Sequence, residues 1–430
     1  MLDRLLALET FGIKLGLDNI SRLSAALGHP ERTFTTLHVA GTNGKGSVTA
    51  MVHAALVAAG VHAGRYISPH LVDLSERFVI GSGPVDAEAL RRAADDVLDC
   101  ADELKATGGL PVHPTFFEAT TAIAFELFRR AGVEVAVIEV GLGGRYDSTN
   151  IITPVAAAIT SIGFDHQQWL GGTLDAIAFQ KAGIIKPGME VVIGAMPDEA
   201  RAVVCDVAAA QQARVIDAVA GARVTGDAGG DPDAIVIETP DHRYGPLSMA
   251  LGGDHQIGNA LVAVRLLEAA GHRGVRVPRG AIERGLTDVD WPGRLELIRL
   301  QGGGQALLDA AHNVDGARAL AAYLRLRHPE RPALVIGVMR DKDVEGIVGA
   351  LLPVVSSVVA TAADTARAIP AHELAARIAS TGPSVPVRAE PRPPDAVEQA
   401  LSSGGTVCVA GSIFVIGAVR DGLRRRAILR

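Results

Sequence analysis

Short apolar runs alternate with longer stretches, in which apolar positions recur every three or four residues, along most of the 430-residue chain. The runs predict strands at Leu37–Ala40, Ala63–Ile67, Val135–Val140, Ala156–Ser161 and Val191–Gly194. The stretches between them predict helices at Val48–Ala59, Ala87–Lys105, Phe116–Arg130 and Leu174–Ala182. Strands this uniformly apolar, alternating with helices, point to α/β architecture with a mostly parallel sheet. Between Arg214 and Pro246 the pattern breaks into short runs with turns, which predicts antiparallel strands appended to the core. A helix over His255–Ala270 follows. Beyond Trp291-Pro292-Gly293 a fresh α/β series begins, with strands at Leu295–Leu300, Ala306–Leu308, Ala333–Val338, Val355–Ala360 and Val407–Ala410. Gln301 to Gly304 reads as a hairpin turn; Gly81 to Pro84 and Gly108-Gly109 read as surface loops. Two domains are expected, residues 1–291 and a smaller Rossmann-like α/β domain over 292–430, with a cleft between them.

Composition narrows the class. Hydrophobic residues make up 48% of the chain and aromatic ones only 4%, which suits Ala-rich helices on Val/Ile strands. The formal net charge is −7 and no run of like charge occurs, which argues against bulk binding to nucleic acid or a membrane surface. Cys100, Cys205 and Cys408 are far apart and form no C-x-x-C pair, which argues for a reducing compartment and against a zinc knuckle. No apolar run reaches the ~18 residues of a membrane span, and the start lacks a signal-peptide pattern. A cytoplasmic monomer is the expectation.

The most informative segment is the run from the Leu37–Ala40 strand into Gly41-Thr42-Asn43-Gly44-Lys45-Gly46-Ser47 and an Ala-rich helix. A glycine loop between strand and helix lets backbone N–H groups approach phosphate. The helix N-terminus adds a favourable dipole, and Lys45 adds a mobile charge. The loop departs from G-x-x-x-x-G-K-[ST]: Val39 stands at the first glycine, and Gly46 stands where a hydroxyl should follow Lys45. Downstream, the strand Val135–Val140 delivers Glu139 at its C-terminal end, where a carboxylate can hold Mg²⁺ against nucleotide phosphates. The turn after it, Gly141 to Gly144, exposes Arg145 and Asp147.

Other blocks are weaker alone. Asp165-His166 reads as a surface turn, Lys181 as a solvated helix lysine, and Asp309-Ala310-Ala311-His312-Asn313 as a turn after a strand. Met339-Arg340-Asp341-Lys342-Asp343 reads likewise, and Asn259 can cap its helix or pair with an adenine edge. Arg294, at the domain junction, could reach phosphates across the cleft.

Taken together and in order, GTNGKGS, SPHL (68–71), FFE (116–118), EVGLGGRYDSTN, DHQQWLG, KAGIIK, PGR, DAAHN and DKD resemble the folylpolyglutamate synthase/dihydrofolate synthase family, a branch of the Mur ligases. The resemblance spans nearly the whole chain. It implies an ATP-dependent ligase that joins L-glutamate to a folate, and possibly to dihydropteroate, through an acyl phosphate. It implies Ser68, Glu139, His166 and a carbamylated Lys181 as Mg²⁺ ligands, which reverses the solvated reading of Lys181. It further implies Thr42, Asn43, Gly44, Lys45, Gly46, Ser47, Asn259, Arg294 and Asp309 on ATP, and His312 near the acyl phosphate. Leu15, Gly16, Leu17, Phe117, Arg145 and Asp147 fall on the folate side. Two departures stand out. Gln180 replaces the glutamate that many relatives carry before the lysine, and Lys14 stands where bifunctional relatives can carry Asp, which weighs against dihydropteroate as a substrate.

The competing readings are another Mur-type amino-acid ligase and a regulatory ATP-binding protein without ligase activity. The SPHL and GLGGRYDSTN blocks and the two-domain length argue against the first, as does a glycine loop that begins only about 40 residues in, where Mur ligases proper usually carry an extra N-terminal UDP-binding domain.

Overall fold

A computed structural model of the chain describes residues 2–8, 12, 14–226, 235–301, 303–382, 384–401 and 405–426. Its architecture is α/β in two domains. The first is built on an eight-stranded sheet in the order β4-β3-β2-β5-β1-β6-β7-β8. The strands are β1 (Thr35–Ala40), β2 (Ala63–Tyr66), β3 (Phe78–Ile80), β4 (Gly83–Pro84), β5 (Val135–Glu139), β6 (Ala156–Ile159), β7 (Glu190–Ile193) and β8 (Arg214–Asp217). All pair in parallel except β3 and β4, which form an antiparallel edge. Every residue of β5, β6 and β7 is buried, as the unbroken apolar runs require of parallel strands covered on both faces.

One face of this sheet packs on the helices Lys45–Ala58 and Asp254–His272, the other on helices that include Phe116–Ala131. The Phe116–Ala131 helix starts in a capping box, with Thr115 and Glu118 bonding each other's backbone, and ends at Gly132 in the left-handed conformation. Glu118 of the FFE block therefore caps its helix.

A three-stranded antiparallel sheet, β9 (Arg223–Thr225), β10 (Ile235–Glu238) and β11 (Arg243–Leu247), is appended as the broken pattern predicts. Part of the segment read that way, residues 227–234, lies outside the described residues. Two expectations are corrected. Arg214–Asp217 is not part of the antiparallel appendage but pairs in parallel with β7. Gly83-Pro84 is not loop but pairs with β3.

The second domain holds six strands in the order β12-β13-β17-β14-β15-β16. These are β12 (Glu296–Arg299), β13 (Gln305–Leu308), β14 (Ala333–Ile336), β15 (Ser357–Ala360), β16 (Val387–Ala389) and β17 (Thr406–Ala410). β12 and β13 form the expected hairpin, and the remaining pairs are parallel. Among the described residues, no helix is long and apolar enough to cross a membrane.

Candidate active site

In the first sheet β1 lies between β5 and β6, while the chain leaves β1 toward β2 on the far side of β5. The strand order thus reverses around β1, and the C-terminal ends of β5, β1 and β6 frame a crevice of the kind where α/β sheets bind ligands.

The glycine loop leaves β1 here and enters the helix Lys45–Ala58 through Gly44, at φ 86°. No side chain caps that helix, so its first backbone N–H groups are free to face an anion. The segment after β6 fixes the loop from behind. Thr42 N–H donates to Ser161 O at 2.7 Å, and Asn43 N–H donates to Ser161 Oγ at 3.0 Å. Thr42 Oγ1 donates to Gly163 O and accepts from Gly163 N–H. Lys45 Nζ sits on its own loop, 3.2 Å from Gly41 O and 3.3 Å from Thr42 O. Ser47 Oγ accepts from Gln256, and the carboxamide of Asn259 closes over Gly44, where a Cβ would lie 2.2 Å from its oxygen.

Glu139 is buried at the end of β5 and forms no ion pair among the described residues. Burial pushes its carboxyl up to about 7, against the pull of Lys45, Arg294, the Ser68 N–H and Arg65. A divalent cation arriving with phosphates would hold this carboxylate in its charged form, so the residue fits a metal ligand. His166, in the left-handed conformation at φ 51°, begins a short helix, and burial lowers its imidazole to about 4 despite Asp165 beside it. Among the described residues no group of three or more His, Cys, Asp or Glu gathers into a metal centre. Ser68 meets Glu139 through its backbone N–H.

Read alone, Lys181 is a solvated helix lysine, and the structure overturns that. Its side chain is buried, and Nζ donates to Gly41 O at 2.7 Å, the same carbonyl that Lys45 approaches. Burial, with repulsion from Lys45, lowers the ammonium to about 7. A lysine at that value is half neutral near neutral pH and nucleophilic.

The second domain reaches this crevice. The amides of Asn43 and Asn313 bond each other reciprocally, at 3.2 and 2.9 Å. His312 turns Nδ1 to Ala310 O at 2.9 Å and Nε2 to Asp165, 3.4 Å away. Lys342 pairs with the same Asp165 carboxylate, and Asn313 donates to it at 3.3 Å. Burial works to raise Asp165, but His312, His166 and Lys342 hold it well below the usual carboxylate range. The sequence reading gave Asp165, Lys342 and Asn313 no role of their own, although they lie in the DHQQWLG, DKD and DAAHN blocks; local sequence could not show that Asn313 meets Asn43 across 270 positions or Asp165 meets Lys342 across 177.

Arg294 donates to Gly293 O at 3.2 Å, and its charge reaches Glu139. Asp309 is buried, with its oxygens accepting from the N–H groups of Leu295 and Ala311, both at 3.0 Å, and each oxygen keeps a lone pair. Asp147, expected to be exposed with Arg145, is instead buried, because its carboxylate serves the backbone, accepting from Leu142 N–H at 2.8 Å and Thr149 N–H at 3.0 Å, which folds the Gly141–Gly144 turn. Phe117 lies under Gly141, where a Cβ would meet its ring at 2.6 Å. Arg145 stacks its guanidinium over Tyr146 and Phe179, 5.3 and 5.0 Å from the ring centres. Leu17 borders the same core as Phe117, Leu15 is exposed, and Gly16 lies between them just before the helix Asp18–Ala26. The phosphate-loop residues, Glu139, Lys181, His166, Asp165 and His312 line one crevice, and among the described residues no contact places Leu15 or Gly16 in it.

Comparison with known proteins identifies the family. Residues 97–267 match the Mur ligase middle domain, and residues 293–413 match the Mur ligase glutamate ligase domain. The dihydrofolate synthase/folylpolyglutamate synthase of Bacillus subtilis is 32% identical over 425 residues, covering 96% of each chain. A probable bifunctional folylpolyglutamate synthase/dihydropteroate synthase of Halobacterium salinarum is 36% identical over 424 residues; the match takes in 97% of this chain, which spans only 50% of that relative's length. Among solved structures, folylpolyglutamate synthase of Mycobacterium tuberculosis complexed with ADP and AMPPCP superposes with a TM-score of 0.89 at 32% identity, covering 98% of both chains.

Proposed function

Because the chain belongs to the folylpolyglutamate synthase/dihydrofolate synthase family, of Mur ligase build, we propose that it joins L-glutamate to a folate by ATP-driven amide formation. The observation that carries the reading is the crevice itself. An uncapped helix start and Lys45 are ready for phosphate, and a buried, unpaired Glu139 is ready for a cation.

In the reaction an oxygen of the acceptor's carboxylate attacks the γ-phosphorus of ATP, and ADP leaves. The amine nitrogen of L-glutamate then attacks the acyl carbon, the C–O bond to phosphate breaks, and phosphate departs with that oxygen. The attacking ammonium must lose protons before it can attack, and His312, whose Nδ1 and Nε2 face Ala310 O and Asp165, is assigned a place beside the acyl phosphate. Mg²⁺, when bound, supplies neutralisation of the phosphate charge. Glu139, His166 and Ser68 would hold it, with Lys181 joining them as a carbamate. Thr42 to Ser47 would cradle the phosphates, while Asn259, Arg294 and Asp309 would take the rest of the nucleotide.

Phe117, Arg145 and Asp147, with Leu15 to Leu17, are assigned to the folate side. Asp147 acts there by shaping the turn that carries Arg145. We assign residues 1–291 to the ATP-binding domain and 292–430 to the domain that closes it, in a cytoplasmic monomer. Lys14, in place of an acid, favours folate over dihydropteroate as acceptor.

The test is ADP release by the purified protein with ATP and Mg²⁺, offered folate or dihydropteroate, with and without L-glutamate. Release that requires both acceptor and glutamate, matched by a product heavier by one glutamyl residue, is the expected result. Nucleotide binding without turnover on any acceptor would favour the regulatory reading instead.

A further inference from the structure

Gly46, the residue that breaks the common phosphate-loop pattern, has a structural reason. Trp291, in the linker between the helix Arg279–Thr287 and β12, seats its indole on the first turn of the phosphate-loop helix. A Cβ at Gly46 would lie 2.6 Å from Cζ2 of that ring. A threonine or serine at this position, as in the common pattern, would collide with the indole. The ring also borders the core beneath the phosphate-loop helix and meets Arg65, whose guanidinium carbon stands 5.0 Å from its centre. Arg65 is on β2 opposite Val137 of β5, and Glu139 lies two residues beyond Val137, so all three side chains share the sheet face that the phosphate-loop helix covers. The indole Nε1 is buried with no hydrogen-bond partner among the described residues, so its ring faces carry the contact.

We propose that Trp291, clamped between Gly46 and Arg65, is a positioning residue for nucleotide binding: it fixes the first turn of the phosphate-loop helix and ties that turn to the linker that carries Arg294. The inference rests on the nucleotide reading of the crevice. It adds that the linker, and not the loop alone, sets the geometry of the phosphate site. Trp291 acts through the backbone of Gly46 and through the charge of Arg65, which lies within electrostatic reach of Glu139.

The experiment is a double-mutant cycle read by ADP·Mg²⁺ affinity and by the KM for ATP, with thermal stability measured alongside. Trp291→Ala and Gly46→Ala should each weaken ADP binding by about tenfold or more. Combined, they should cost less than the product of the two losses, because removing the indole makes room for the new methyl. Trp291→Phe, which keeps an aromatic face but lacks Cζ2, should recover only part of the affinity. In a Trp169→Phe background, where Trp291 is the sole tryptophan, ADP should change its emission. Wild-type ADP affinity in Trp291→Ala, or losses that simply multiply, would overturn the proposal. So would emission indifferent to nucleotide. If Trp291→Ala does not fold, Trp291→Phe and Gly46→Ala decide it: Gly46→Ala binding ADP as wild type would overturn it. If wild type binds ADP but forms no glutamyl product, the ligase reading fails while the clamp is still judged by these affinities.

Discussion

At the scale of single residues, the two lysines on the Gly41 carbonyl differ in kind. Lys45 stays in reach of solvent and of an incoming phosphate, whereas Lys181 is sealed in. Lys45→Ala should therefore leave the fold intact and lower the ligation rate on the order of 10²–10³, the cost of removing one electrostatic donor to a transition state. Near-normal turnover in that variant would deny it the role. For Lys181 the sign of the pH effect follows from its lowered value of about 7, against 10.5 for the free side chain. The neutral, nucleophilic amine gains ground as pH rises through 7 and is lost as pH falls below it. Labelled carbon dioxide should therefore be taken up as a carbamate increasingly across that range, and Lys181→Ala should take up none at the site. An unlabelled Lys181 in active, Mg²⁺-loaded protein would refute the carbamate. The sequence showed the glycine loop and Glu139 because strand, loop and helix are contiguous there. It could not show the burial of Lys181, because the groups that desolvate it come from other elements. Nor could it show that Asp309 and Asp147 spend their oxygens on nearby backbone N–H groups.

Elements were legible where periodicity was local and strong. β5 and β6 lie within the apolar runs that announce them, β1 begins two residues ahead of its run, and the Phe116–Ala131 helix carries both its cap signals in sequence. The edges were not. β8 is exposed on one side and looks like the turn-rich segment after it, although tertiary pairing with β7 places it in the main sheet. β4 is two residues long and contains a proline, which the edge of a sheet tolerates. Packing between elements supplies a further test. Gly285, in the helix Arg279–Thr287, lets that helix press on the phosphate-loop helix; a Cβ there would stand 2.6 Å from Ala55 Cβ and 2.7 Å from Met51 O. Gly280, in the same helix, has open space around it. Gly285→Ala should cost about 1–3 kcal/mol in denaturant unfolding. Gly280→Ala should be neutral or stabilise by up to about 1 kcal/mol. Equal effects at both positions would mean the two helices do not meet as described.

At the scale of the whole molecule, two domains share one crevice. The second domain contributes Asn313 against Asn43, and His312 and Lys342 against Asp165, while Arg294 directs charge at Glu139 from the junction. Arg294→Ala should reduce kcat/KM for ATP by at least about tenfold with the fold preserved, as loss of one charge-assisted contact requires. Unchanged kcat/KM would mean that the junction arginine does not serve the nucleotide. The two-domain plan was legible in the renewed strand–helix series after Trp291. The meeting of Asp165 with Lys342 was not, because nothing in either local pattern anticipates a partner 177 residues away. The central claim is that this shared crevice makes an amide by first phosphorylating the acceptor's carboxylate. The direct measurement is the fate of oxygen-18 placed in that carboxylate. One labelled oxygen should appear in inorganic phosphate for every amide formed; phosphate released without label while amide accumulates would contradict the account.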